Sequence, residues 1–450
     1  MECEIFCYLK MFYSCSFSII FEALPHSINN EIIQTSNNLY YIHLVLLSGM
    51  PKRSAVVLKN STFSLPINYY VNFTNATVEN NLKKAIDLIQ NNTCITFNKS
   101  EMALQEAQEG ITFNLAIYPK TFFGKNESKQ LHVMNISIYH SSVNSILQDL
   151  GFALGMTLEI YRYDRDNYVT LVGENASLEY PAFSEDKYKD FLKNISYDIG
   201  SMYQFCSGLY SNGNVIEYIP KDSNYWDTFC LKKFSFNDFK ALNNLYCNVT
   251  CEKKLTCRNS GYTNPKNCSE CRCPPFYNGT TCEKLKNSNA KCTIPRKVNV
   301  TDDEKFVRLE EDGNKTCYFS LRAPKGFKLE VFVASKFSGE DVRPKLHHCN
   351  KKQSLEARYY KNKGATGALF CGPLTSHYIV SKGNVADFKY SGNHSEDGIS
   401  ILVRKVNASV EQADVIDARY NIDTNYTLDD SDYDYATPMT VNYTGTHVEV

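Results

Sequence analysis

The sequence predicts an α+β first domain, a small disulfide-held module and then an all-β sandwich. Three observations carry that order. Between residues 54 and 247, short strand-forming runs accompany an amphipathic helical stretch. Residues 251 to 282 pack six cysteines among Gly, Asn and Pro. From residue 292 onward, four widely spaced cysteines accompany alternating apolar stretches.

The bulk properties fit an exported, folded chain. Of 450 residues, 43% are hydrophobic and 22% charged, which excludes wholesale disorder. Lys+Arg 48 against Asp+Glu 49 leaves a net charge of −1, so nothing favours nucleic acid or an acidic membrane as a partner. No apolar run reaches the ~18 to 20 residues that span a bilayer, so no membrane span is expected. Seventeen cysteines are too many for reduced thiols in a cytosolic protein of this kind. Asn-X-Ser/Thr sequons, at Asn60, Asn72, Asn75, Asn91, Asn98, Asn126, Asn135, Asn175, Asn194, Asn248 and later sites, agree with a secreted, extracellular location.

Residues 1–53 read as a signal and short pro-segment. Met11–Phe21 and Leu39–Leu47 are short hydrophobic cores, and the dibasic Lys52-Arg53 ends the segment. Cys3, Cys7 and Cys15 leave with it, and an even fourteen cysteines remain.

In the first domain, 54–247, the runs Ile111–Ile117 and Val133–Ile138 are rich in strand formers. Residues 143 to 156 read as a helix, with Val143, Leu147, Leu150 and Leu154 forming the core stripe. Gln148 and Phe152 fall on the opposite face. A phenylalanine there should be wet unless that face lines a cleft. Residues 248–285 cannot build much core, so covalent cross-links must hold them. A zinc site is the competing reading of the close cysteines, disfavoured in an oxidised compartment. Residues 292–404, with Lys328–Val333 and Ile399–Val403 alternating, suggest an antiparallel sandwich. Residues 405–450 are an acidic tail centred on Asp429–Asp434, with too little apolar surface to offset chain entropy.

The stretch Leu147–Thr170 resembles the active-site segment of astacin-family zinc endopeptidases. Their pattern is H-E-x-x-H-x-x-G-x-x-H-E, followed by a segment close to R-x-D-R-D-x-Y-V. Gly155, Glu159, Arg162, Asp164, Arg165, Asp166, Tyr168 and Val169 fit the frame. Flanking pieces agree, among them Asn92–Phe97, Tyr197–Ser201 and Phe234–Asn243. The resemblance implies a metzincin fold. Its chemistry needs three neutral imidazoles to hold Zn²⁺ and a glutamate to shuttle the proton.

Here the three metal positions are Gln148, Phe152 and Leu158, and the base position is Asp149. An amide oxygen is a weak ligand, and hydrocarbon donates no electron pair. The shorter Asp149 withdraws its carboxylate by roughly 1 Å, which can cost about 10²-fold. His132 and His140 are the only histidines between 54 and 247, so three imidazoles cannot be assembled. No cofactor is therefore expected.

In this family the residue at Glu159 typically contacts the new amino terminus, a role Ser54 could fill after cleavage at Arg53. Arg162, Asp164, Arg165 and Asp166 read as a structural ion-pair network rather than as acid/base catalysts. The family's methionine turn and the tyrosine two residues on align in two registers. One places Tyr203 and Phe205 at those positions, the other Met202 and Gln204, and both lack the supporting phenol.

The cysteines follow the same resemblance. It implies Cys94–Cys247 across the first domain, leaving Cys206 and Cys230 to each other. The second segment resembles an epidermal-growth-factor-like module, implying Cys251–Cys268, Cys257–Cys271 and Cys273–Cys282. The third resembles a CUB domain, implying Cys292–Cys317 and Cys349–Cys371. The expected function is a secreted pseudoprotease that binds extracellular proteins or peptides, including substrates or inhibitors of active relatives. Two alternatives stand beside it: a zinc endopeptidase working through water, Gln148 and carboxylates, and a matrix adhesion module acting through the second and third units.

Overall fold

The computed structural model describes residues 62–125, 131–172, 182, 185, 192–204, 218–229, 231, 233–338, 349, 351–372 and 375–412. The expected leader and pro-segment, Ser54, Phe205, the Cys206–Cys230 pair and the chain beyond Gln412 lie outside the described residues.

The first domain opens with strand β1 (Ile67–Asn72), helix α1 (Ala76–Asn92), and strands β2 (Phe97–Lys99), β3 (Gly110–Ala116) and β4 (Leu131–Ser137). They form a parallel sheet in the order β2-β1-β3-β4. The two strands expected from composition are both present, shifted toward the N-terminus by one or two residues. Asn75 caps α1 by accepting from the Val78 N–H. Val78, Leu82, Ala85, Ile86 and Ile89 form its buried stripe and share one core with Ile67, Ile111, Phe113, Met134 and Ile136 of the sheet.

Helix α2 (Val143–Ala153) packs against α1 and β4. It is three residues shorter than the periodicity predicts, because Gly155 takes a left-handed φ of +97°. The Gly155 and Met156 N–H groups then close back on the carbonyls of Phe152 and Gly151, each at 2.9 Å, a Schellman ending. Farther on, β5 (Val169–Leu171) pairs with β6 (Tyr218–Pro220), a 3-10 turn covers Ser223–Thr228, and α3 (Phe236–Tyr246) closes the domain. A reciprocal capping box between Ser235 and Asp238 starts α3. The Cys94–Cys247 disulfide ties the end of α3 to the start of the domain.

The next segment holds two two-stranded ribbons, β7 (Tyr262–Thr263) with β8 (Cys271–Arg272) and β9 (Tyr277–Asn278) with β10 (Lys284–Leu285). Disulfides Cys251–Cys268, Cys257–Cys271 and Cys273–Cys282 hold them around a small core of Phe276, Tyr277 and Leu285.

Nine strands follow: β11 (Lys297–Asn299), β12 (Val307–Asp312), β13 (Thr316–Arg322), β14 (Phe327–Lys336), β15 (Ser354–Arg358), β16 (Ala368–Phe370), β17 (Thr375–Val380), β18 (Val385–Ser391) and β19 (Gly398–Asn407). They form two sheets, β11-β13-β18-β15-β16 and β12-β19-β14-β17, with only the short β11–β13 pair parallel. Disulfides Cys292–Cys317 and Cys349–Cys371 lie within this unit. Its last strand runs a little past residue 404. Strand β19 continues to Asn407 opposite Phe327, and Glu411 then pairs with Lys328 at 2.7 Å.

The sheets are bolted to the first domain. Asp222 accepts from Tyr359, Tyr360 and Gln412 at 2.7, 3.2 and 3.0 Å. Asp198 accepts from the Thr366 N–H, and the Thr228 hydroxyl bridges Gly367 and Leu369. Tyr225 stacks on Tyr360.

Candidate functional site

Helix α2 carries Gln148, Asp149 and Phe152, three of the five positions that the resemblance singles out. Ser142 caps it, its side chain accepting from the Ser145 N–H. Gln148 and Asp149 are half-buried one turn ahead of Phe152, which is 1% exposed. The Schellman turn then reverses the chain and delivers Leu158, also 1% exposed, into the same core.

The turn 201–204 closes this floor from the other side. The Tyr203 ring meets Phe152 edge-to-face at 4.9 Å and Phe234 at 5.7 Å. Its hydroxyl donates to the Gln148 carbonyl at 3.1 Å, and its own carbonyl accepts from the Glu159 N–H. Gln148 spends its amide on the Met202 carbonyl at 3.4 Å. A β-carbon at Gly151 would sit 1.8 Å from the Tyr203 hydroxyl, so only glycine admits this ring. Phe152 is therefore dry, although it lies opposite the core stripe.

These residues do not fit a zinc ion. Phe152 and Leu158 offer carbon, the Gln148 amide is directed to a backbone carbonyl, and Tyr203 fills the space beneath. Among the described residues, the groups able to gather three metal-binding side chains each rely on two cysteines already joined in a disulfide. Desolvation pushes the Asp149 carboxyl up to about 7.

The second half of the segment is ionic. Arg162, 2% exposed, grips Asp164 with two 2.8 Å hydrogen bonds, donates to the Ile195 carbonyl and lies 3.4 Å from Glu159. Burial nevertheless pushes Glu159 up to about 8, against the pull of the Arg162 charge. Arg165 donates to the Ile160 carbonyl and reaches the exposed Asp166 at 3.3 Å. Beside Glu159 lies a cavity of about 10 Å³, room for one water. Thr157 Oγ1, Glu159 Oε2, Arg162 Nη1 and Asn237 Oδ1 have no hydrogen-bond partner there.

Two residues of the quoted flanking pieces have roles here that sequence reading did not assign. Asp238 accepts from the Ser201 hydroxyl at 2.6 Å and the Met202 N–H at 3.1 Å, so it holds the turn under Phe152. Its signal was Ser235-x-x-Asp238 ahead of an apolar run. Asp198 accepts locally from the Gly200 N–H at 3.1 Å, but its bond to Thr366 had no local signal, since Thr366 lies in the loop between β15 and β16 of the third unit. The histidines stay apart from the floor: His132 is buried on β4, and burial lowers it to about 4.

Comparison with known proteins follows this geometry. Residues 57–247 match the family model Astacin, which describes a peptidase family. Zinc metalloproteinase nas-34 of Caenorhabditis elegans is 26% identical over 363 residues, 78% of this chain and 58% of that protein. Zinc metalloproteinase nas-23 of the same animal is 29% identical over 330 residues, 69% of this chain and 58% of that protein. The chain thus spans 58% of the length of each. Among solved structures, high choriolytic enzyme 1, a hatching enzyme zinc-protease of medaka, aligns with 42% of this chain and 96% of its own. That alignment has 17% identity and a TM-score of 0.36.

Proposed function

The chain belongs to the astacin family through residues 57–247, and from that membership we propose that its first domain is a non-catalytic binding module of a secreted glycoprotein. One observation carries the reading. Phe152 and Leu158 stand at two ligand positions, both buried, with Tyr203 packed under the former. Fully burying such side chains contributes about 1.5 to 3 kcal/mol each, enough to offset part of the stability a structural metal contributes. The ligands are extracellular proteins or peptides shaped like the family's substrates, so the chain competes with active relatives for substrates or inhibitors.

Residues 248–285 are read as the growth-factor-like module and 292–404 as the CUB-like domain. Glu159 remains available to an ammonium at Ser54 if the chain is cut after Arg53. The adhesion reading gains nothing from the packing, because Asp198, Asp222 and Thr228 spend hydrogen bonds on the third unit, and a mere spacer needs none. The same bonds mean that deleting residues 248–404 would orphan buried groups, so partner mapping needs point variants of the whole chain.

The test is metal analysis of the secreted protein together with digestion of a peptide library. The expected result is less than a tenth of an equivalent of zinc and no chelator-sensitive cleavage. Stoichiometric zinc with such cleavage would overturn the reading in favour of an active endopeptidase. As a control, Gln148→His, Phe152→His, Leu158→His, Asp149→Glu and Phe205→Tyr together should restore metal uptake if the surrounding groups still orient ligands.

A further inference from the structure

We propose that Asn72, Asn98 and Asn135 carry N-linked oligosaccharides that together cover the outer face of the β2-β1-β3-β4 sheet. The inference rests on the reading that the chain is exported. Parallel sheets are ordinarily covered on both faces. Here the inward residues Ile67, Ile111, Phe113, Met134 and Ile136 share a core with the helices, while their neighbours turn outward. Strand register stacks those neighbours in rows. Asn98 lies beside Asn68, Tyr70 beside Thr112 and Val133, and Asn72 beside Asn114 and Asn135.

Each of the three sequons within these strands, Asn72-Phe-Thr74, Asn98-Lys-Ser100 and Asn135-Ile-Ser137, puts its asparagine on this outer face. Asn72 and Asn98 are exposed, Asn135 is half-buried, and Val133 between them is 37% exposed. The asparagines also hold one another. Asn98 Nδ2 donates to Asn68 Oδ1 and Asn72 Nδ2 to Asn114 Oδ1, both at 3.0 Å, and Asn114 Nδ2 reaches Asn135 Oδ1 at 3.4 Å.

The modification is compatible with that ladder. The amide Nδ2 forms a bond to the anomeric carbon of an oligosaccharide carried on a polyprenyl diphosphate. The carbon–oxygen bond to the diphosphate breaks, and the leaving group takes the electron pair while the amide gives up one proton. One N–H and the carbonyl remain for the hydrogen bonds. Ser137 is buried and donates to the Ile117 carbonyl at 2.9 Å, so Asn135 is modified before β4 docks, during export.

The whole chain is expressed in an animal-cell host, both with its own N-terminus and behind a heterologous secretion leader. Glycosidase release in ¹⁸O-water, read by mass spectrometry, should show all three asparagines mostly occupied. Hydroxyl-radical labelling of Tyr70 and Val133 should rise at least threefold when the sugars are removed under native conditions. Thr74→Ala with Ser100→Ala, which keeps every asparagine of the ladder, should raise it as well. Occupancy below half at any of the three sites in secreted protein overturns the proposal. So does labelling unchanged by sugar removal or by the double variant. Retention of the native chain with secretion of the leader fusion would instead overturn export alone.

Discussion

The two halves of the segment 147–170 are held together in opposite ways. The first, from Gln148 to Leu158, is held by hydrocarbon, with Phe152 packed against Tyr203 and Leu158 in the same core. The second, from Glu159 to Asp166, is polar, with Arg162 bound in the interior to both oxygens of Asp164 and to the Ile195 carbonyl, 3.4 Å from Glu159. Imidazoles released from a metal can be exchanged for apolar groups that fill the space. A buried ion network cannot be dismantled singly, because removing one member leaves the others charged and unpaired. Apolar packing at one end therefore does not require the ionic contacts at the other to loosen.

Breaking the ionic half should have the largest effect. Arg162→Met strands Asp164 and Glu159 and should cost about 3 to 5 kcal/mol, read as a lowered urea midpoint. Phe152→Ala empties space beneath α2 and should cost about 3 kcal/mol or slightly more. Phe152→Met keeps most of the volume and should cost under about 1.5 kcal/mol. A milder loss for Arg162→Met than for Phe152→Met would reverse the contrast between the halves.

Asp149 sharpens it through pH. Its carboxyl titrates at about 7 in the folded chain, above its ordinary value of 3.8, so the folded state binds the proton more tightly than the unfolded one. Its contribution is fully present below pH 3.8 and is lost as pH rises to 7. Asp149→Asn, always neutral, should match the parent at about pH 4 and exceed its urea midpoint at about pH 8. Equal midpoints at both values would show that the carboxylate is well solvated. Gln148→Ala should matter least, about 0.5 kcal/mol, since its long hydrogen bond contributes little. A loss above about 2 kcal/mol there would mean the amide, rather than the rings, holds the floor.

Much of the fold was legible locally. The strands at 111 and 133, the helix from 143 and the alternation in β14 and β19 follow from periodicities of 2 and 3.6. What the side chains at these positions can ligate was legible because ligand capacity is a property of the side chain: no packing makes Phe152 or Leu158 a donor. The environment of those residues was not. Periodicity left Phe152 on the wet side of α2, and its cover, Tyr203, arrives from 51 positions away through the notch that Gly151 leaves.

By itself, then, the sequence determined which atoms are available at positions 148, 149, 152 and 158, and that strands lie near 111 and 133 and a helix from 143, since both depend on residues and their near neighbours. Only the tertiary structure decided that Phe152 is dry, that Asp149 is desolvated, and that Asp198 and Asp222 depend on the third unit. Burial and desolvation are set by whatever packs against a group, and here those partners lie tens to more than a hundred residues away along the chain.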